Sequence, residues 1–368
     1  MRLNMYFISL LVLSHSGLVG GATSSRIATL LGQAAQQSSQ AAVDTVITQA
    51  ETLARQQSHA SPLEQLFLEN RIKRTQAMCY TRLARQETGR RIDMLGQAHA
   101  SLLLVMDRYA KLRKQHEDRV EALEEAFNVM SPAKEKEYQR ATAALLEIDY
   151  ETAWTHYELG LCSNSQGQKL DHLKQANNGF LNFTAGGYRN HPVITDCFYG
   201  QARCSYEMGY YSDVLNLLGE AKASNTPPAI YIKMTHLRLL VATAMGSHSR
   251  IHRFAGDYFK EKTDDAKLDA LEIDMMIHWA CALAKLASDP RIGRYGDEYR
   301  TRLGKLRTRI EAYGDSAKGK LEQKLSEYGV ETPTSCLVKA NARFQAQDYQ
   351  GCLELVEQGL RQDASSGD

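Results

Sequence analysis

Two stretches, far apart along this chain, carry the same arrangement of small and aromatic residues. The first runs Phe198-Tyr199-Gly200-Gln201-Ala202-Arg203-Cys204-Ser205-Tyr206-Glu207-Met208-Gly209 and continues through a polar turn to Ala221. The second holds Ala340, Ala342 and Phe344, passes through a short polar turn, and continues through Cys352 to Gly359. In each, small residues at helical steps let two helices approach closely, and the aromatic rings fill the gaps that remain. The pattern predicts helices packed in pairs.

The rest of the composition agrees. Ala, Leu, Gln, Glu and Arg dominate, and β-branched runs are few, as all-helical proteins require. Each of the seven prolines (Pro62, Pro132, Pro192, Pro227, Pro228, Pro290, Pro333) falls at an expected helix boundary, because proline is tolerated in a first turn and expelled from a helix interior. Ser61-Pro62-Leu63-Glu64 has the order of a capping box, and Ser131-Pro132 starts another helix with serine as cap. Residues 23–60 keep an apolar stripe through Ile27, Leu30, Leu31 and Ala34 and then Val43, Val46, Ile47, Ala50, Leu53 and Ala54, which predicts helix, with a Gln/Ala/Ser-rich tether as the competing reading.

From Ile92 to Met130 a heptad pattern has two seams. One is Ile92, His99, Met106, Arg113, Val120 and Phe127; the other is Leu95, Leu102, Tyr109, His116, Leu123 and Met130. The pattern predicts a long helix packed at a shallow angle. His99, Arg113 and His116 interrupt it, so an intramolecular hairpin over 61–130 is expected in preference to a coiled-coil dimer.

The quoted pairs, together with Trp154, Leu159 and Gly160 at one helix and Ala176 and Phe180 at the next, resemble the tetratricopeptide repeat, a helix–turn–helix unit of about 34 residues. The resemblance is specific in the pairs at 193–223 and 334–361, and weak over 229–260 and 265–329. It implies an all-α fold in which the hairpin is followed by a superhelical solenoid over 131–361, with residues 362–368 as a disordered tail. It also implies the family's trade, holding a protein or peptide in the groove lined by the first helix of each pair. Carried over position by position, the partner-binding residues are Trp154, Tyr157, Tyr199, Arg203, Tyr206, Glu207, Asn341 and Phe344. On such an open wall Arg203 would serve capture and contribute little to the fold.

The N-terminus reads as an export signal. Arg2 supplies the positive start, Tyr6–Val19 a mostly apolar stretch, and Gly20-Gly21-Ala22 the small residues for cleavage, so residues 1–22 are expected to be removed. The apolar stretch is shorter than the ~20 residues that span a bilayer. Export would place the chain in the periplasm or outside the cell. The seven cysteines include no C-x-x-C, and Cys197 and Cys204 stand too far apart on one helix to bridge, so they read as small packing residues.

Other motifs carry less. Gly314–Leu321 fits G-x-x-x-x-G-K, but Leu321 replaces the metal-holding hydroxyl, and a helix precedes where a strand should. His248 and His252 have metal-ligand spacing without an acidic third ligand and read as surface histidines. The arginines around 300–309, and Arg74, Arg82, Arg85, Arg90 and Arg91, read as solvated helix faces. No catalytic constellation, cofactor motif or metal pattern emerges. With a net charge of +1, nothing points to nucleic acid. The sequence therefore predicts a non-enzymatic, exported interaction scaffold for cell-envelope assembly or maintenance. The alternatives are a self-assembling envelope protein that uses the heptad helix, or an accessory domain of an envelope enzyme.

Overall fold

A computed structural model describes residues 22–364, apart from 38, 57–61, 86–90, 126–130, 186–192, 223–225, 261, 264–265, 294, 331–332 and 346. Among the described residues there are fifteen α-helices and no strand, so the fold is all-α, as expected. The helices are α1 (Ala22–Ala34), α2 (Gln40–Arg55), α3 (Pro62–Ala84), α4 (Arg91–Glu124), α5 (Pro132–Cys162), α6 (Gln166–Ala185), α7 (Ile194–Met208), α8 (Tyr211–Lys222), α9 (Pro228–Ala244), α10 (His248–Phe259), α11 (Ala270–Ser288), α12 (Tyr295–Glu311), α13 (Asp315–Glu327), α14 (Pro333–Gln345) and α15 (Tyr349–Ala364). None is long and apolar enough to cross a membrane. The chain divides into two units, Met1–Ile230 and Tyr231–Asp368.

In the first unit each helix packs on the next: α1 on α2, α2 on α3, and so on through α4, α5 and α6 to α7 and α8. The stripe on α1 and α2 is buried against α3 and α4 around Ile27, Leu31, Val43, Ile47, Ile72 and Leu102, so Ala22–Ala34 and Gln40–Arg55 are packed helices rather than a tether. The hairpin of α3 and α4 forms within the chain. One heptad seam lies inward at Leu95, Leu102, Tyr109 and Leu123. The second buried row is Ala98, Val105 and Leu112, one residue before the expected His99, Met106 and Arg113. Because α4 packs on both α3 and α5, its buried arc is wider than a two-helix seam, and it selects the smaller and more apolar row.

The small residues make the close contacts that the pattern required. A Cβ added at Gly179 on α6 would lie 2.7 Å from that of Ala153 on α5, and one at Gly160 would lie 3.0 Å from Leu173. Ser131 caps α5, its hydroxyl accepting from the amide of Lys134. At the α7–α8 turn Gly209 takes φ 85°, and the amides of Gly209 and Tyr210 bond back to Tyr206 and Ser205. The α14–α15 turn repeats this geometry with Gln347 at φ 63°, where a side chain is strained.

The second unit is organised around α11, which is apolar on nearly every side and buried from Met275 through Ala284. Residues of α9, α10, α12 and α13 cover it, among them Leu239, Ile251, Leu306, Ile310 and Leu321. Asp269 and Glu272 form a reciprocal capping box at its start. Gly314 is the turn between α12 and α13, with Gly319 inside α13 and Leu321 buried; the G-x-x-x-x-G-K match is a helix–turn–helix junction. All seven cysteines are free.

Several expectations fall outside the described residues. They are the export signal up to Gly21, the Ser61 cap, Phe127 and Met130 of the heptad, and the tail from 365. Helix α15 runs to Ala364, so residues 362–364 are helical and not part of a disordered tail.

Candidate functional site

Trp154, Tyr157, Tyr199, Arg203 and Tyr206 do come together on α5 and α7, but as interior residues. The Trp154 ring lies edge-on to Tyr157 and Phe180, at centroid distances of 5.6 and 4.9 Å, and is tilted against Tyr199 at 6.4 Å. The Nε of Arg203 donates to the Tyr157 hydroxyl at 2.9 Å. Arg203 also pairs at 3.6 Å with Glu207, whose side chain is buried and accepts from Lys169 at 3.2 Å. The expected open wall is therefore an aromatic and ionic seam inside the first unit. The cause is contact between first helices: α5 packs on α7 as well as on α6, and this covers the face that the repeat pattern would leave open.

The seam extends to α3. Arg74, expected on a solvated face, is buried and ion-paired with Glu151. Arg82 is buried too and donates to the Ala35 carbonyl at 2.5 Å. The Tyr150 hydroxyl donates to buried Asp196. Burial pushes the carboxyl of Glu158 up to about 7, against the pull of Arg74, Arg203 and Arg85, and its Oε2 has no hydrogen-bond partner among the described residues. Buried charges stand only when paired, and breaking one pair strands the other member. This seam holds three helices in register.

Asn341 and Phe344 have a different setting. Both are exposed on α14, in one row with Leu337 at steps of four and three residues. On α15 the exposed residues Tyr349, Leu353, Val356 and Leu360 recur at steps of four, three and four, which places them on one face. The rings of Phe344 and Tyr349 meet edge-on at 5.6 Å and join the two rows at the turn. The opposite sides of the pair close on each other through Cys336, Ala340, Gly351, Leu355 and Gly359. An amphipathic helix ordinarily turns its apolar stripe inward; here a second stripe faces out.

The arginine-rich α12 is neutralised locally by Arg300–Asp297 and Arg302–Glu298 pairs, with Leu306 and Ile310 inward, as expected of a solvated helix. His248 and His252 do not converge on a metal: the Nδ1 of His252 accepts from the Trp279 indole at 2.9 Å, and His248 packs on Tyr328. A convergence that the sequence did not single out is His236 on α9 with Asp274 and His278 on α11, whose ligand atoms all lie within 4.8 Å of one another. The four-residue step from Asp274 to His278 was visible in the sequence, while the arrival of His236 is a tertiary event. The chain matches no protein-family model, no curated protein and no solved structure.

Proposed function

We propose that this chain is an exported interaction scaffold whose docking surface is the outward apolar face of the last helix pair. The observation that carries this reading is the row Tyr349, Leu353, Val356 and Leu360, between 36% and 64% exposed. It is continuous with Phe344 and Leu337 and runs for roughly 16 Å along α15. Isolated exposed leucines are ordinary, but an ordered stripe over three turns marks an interface. Its length and spacing suit an amphipathic helix of a partner protein, laid along the pair with its own apolar row against Leu353 and Leu360. Export is supported by the order of charge, apolar stretch and small residues at the N-terminus, and it would place the partner in the cell envelope. The seam on α5 and α7 serves the fold in this reading, not capture.

A photo-crosslinking amino acid at Leu353 in the full chain, expressed in its native cells, tests this. The expected product is an adduct with a different protein, lost when Leu360→Asp is added while the melting temperature is kept. Adducts only between copies of the chain would favour the self-assembling reading, and no adduct would remove the docking surface.

A further inference from the structure

We propose that His236, Asp274 and His278 form a binding site for a divalent transition metal of the zinc class, with three protein ligands and a further position for water. The argument starts from proton placement. The hydroxyl of Thr243 donates to the Leu239 carbonyl at 2.8 Å, so toward its other neighbours it can only accept. It lies 3.2 Å from the Nδ1 of His278, and the Tyr328 hydroxyl also donates to it at 3.2 Å. His278 therefore carries its proton on Nδ1 when neutral and presents a bare lone pair on Nε2. That lone pair faces the Oδ2 of Asp274 at 3.7 Å. Two acceptors aimed at one another in a buried setting repel unless a proton or a metal lies between them.

The same Asp274 oxygen lies 2.8 Å from the Nε2 of His236. Zinc bonds of about 2.0–2.1 Å at tetrahedral angles set donor atoms roughly 3.3 Å apart. The two Asp274 distances, 2.8 and 3.7 Å, lie on either side of that value, and all three ligand atoms lie within 4.8 Å of one another, so modest side-chain shifts bring the three groups onto an ion. On binding, the proton that His236 shares with Asp274 moves to its Nδ1, a buried atom that has no hydrogen-bond partner among the described residues.

The contact between Thr243 and the far nitrogen of His278 is the outer-shell support by which ligating histidines are fixed. Asp274 and His278 share one face of the capped, buried α11, a rigid platform. Both histidines are buried, while a third of the Asp274 side chain stays open to solvent and gives an ion its entry. Lys324 opposes a cation here, but its Nζ is paired with Glu327 at 2.9 Å.

The test uses the full chain, stripped with a chelator and desalted, then titrated with Zn²⁺ by calorimetry and with Co²⁺ by visible absorption. One equivalent should bind, zinc should raise the melting temperature, and the ring nitrogens of His236 and His278 should shift in histidine-labelled NMR spectra of the wild-type chain. Asp274→Asn should weaken zinc binding by at least roughly tenfold, since loss of an outer-shell contact alone costs 10–100-fold. The double variant His156→Gln/His172→Gln, which removes a histidine pair of the first unit, should bind as wild type does. No binding to the wild-type chain, equal affinity in a folded Asp274→Asn, or shifts confined to other histidines would each overturn the site. The NMR result stands even if Asp274→Asn does not fold.

Discussion

Gly200 on α7 lies flat against the ring of Phe180 on α6: a Cβ added there would sit 2.6 Å from ring Cε2 and 2.7 Å from Cζ. Phe180 is fully buried and packs in turn on Trp154 at 4.9 Å, so the ring has nowhere to retreat. Gly200→Ala should destabilise the chain by about 1–3 kcal/mol through overpacking, although alanine is the better helix former by about 1 kcal/mol. Gly96 on α4 has open space where its Cβ would be, so Gly96→Ala should stabilise by up to about 1 kcal/mol. Urea melts of the two variants should move in opposite directions. Equal shifts would mean that α6 and α7 do not meet as described.

Arg203→Glu tests whether the α5–α7 seam is interior. On an open groove wall the change would spare the fold. In the seam it removes the bond to Tyr157 and sets a carboxylate beside Glu207 and near Glu158. The expected loss is about 3–5 kcal/mol, read as a large drop in melting temperature. A variant that melts as wild type does would return Arg203 to the surface.

Glu158 gives the seam a pH signature. Its folded value, about 7, lies above the ordinary carboxyl value of 4.5 because it is buried. Below pH 4.5 both states are protonated and the group contributes no difference. Between about 4.5 and 7 the folded chain alone keeps the proton, so stability falls as pH rises. Above 7 the buried charge remains as a fixed penalty, on the order of 3 kcal/mol. Glu158→Gln should therefore melt above wild type at pH 8, and the gap should close as pH drops toward 5. A gap independent of pH would show that Glu158 is ionised throughout.

The export reading has a direct test. Cleavage after Ala22 would leave Thr23 as the mature N-terminus, one residue into α1. Intact-mass measurement on chain purified from its native cells should show that start, or one within a few residues. An uncut chain recovered from the cytosol would remove the address from the proposal.

Much of this protein is local in origin. Proline and serine start α5, Gly209 ends α7, and the stripe on α1 and α2 makes a Gln- and Ser-rich segment helical. These follow from φ restriction, capping and periodicity, which act within a few residues and so are legible in order along the chain. The outward row holding Asn341 and Phe344 was half visible for the same reason. What only the tertiary structure decided is which polar side chains go inside. Arg203 and Trp154 look like interface anchors until α5 and α7 close on them. The inward row of α4 shifts by one residue because two neighbours flank it. His236 meets Asp274 only because α9 packs on α11. Burial of a charge or convergence of ligands depends on partners brought from remote helices, and the free energy of desolvation is set by that surrounding, not by the residue's own neighbours in sequence.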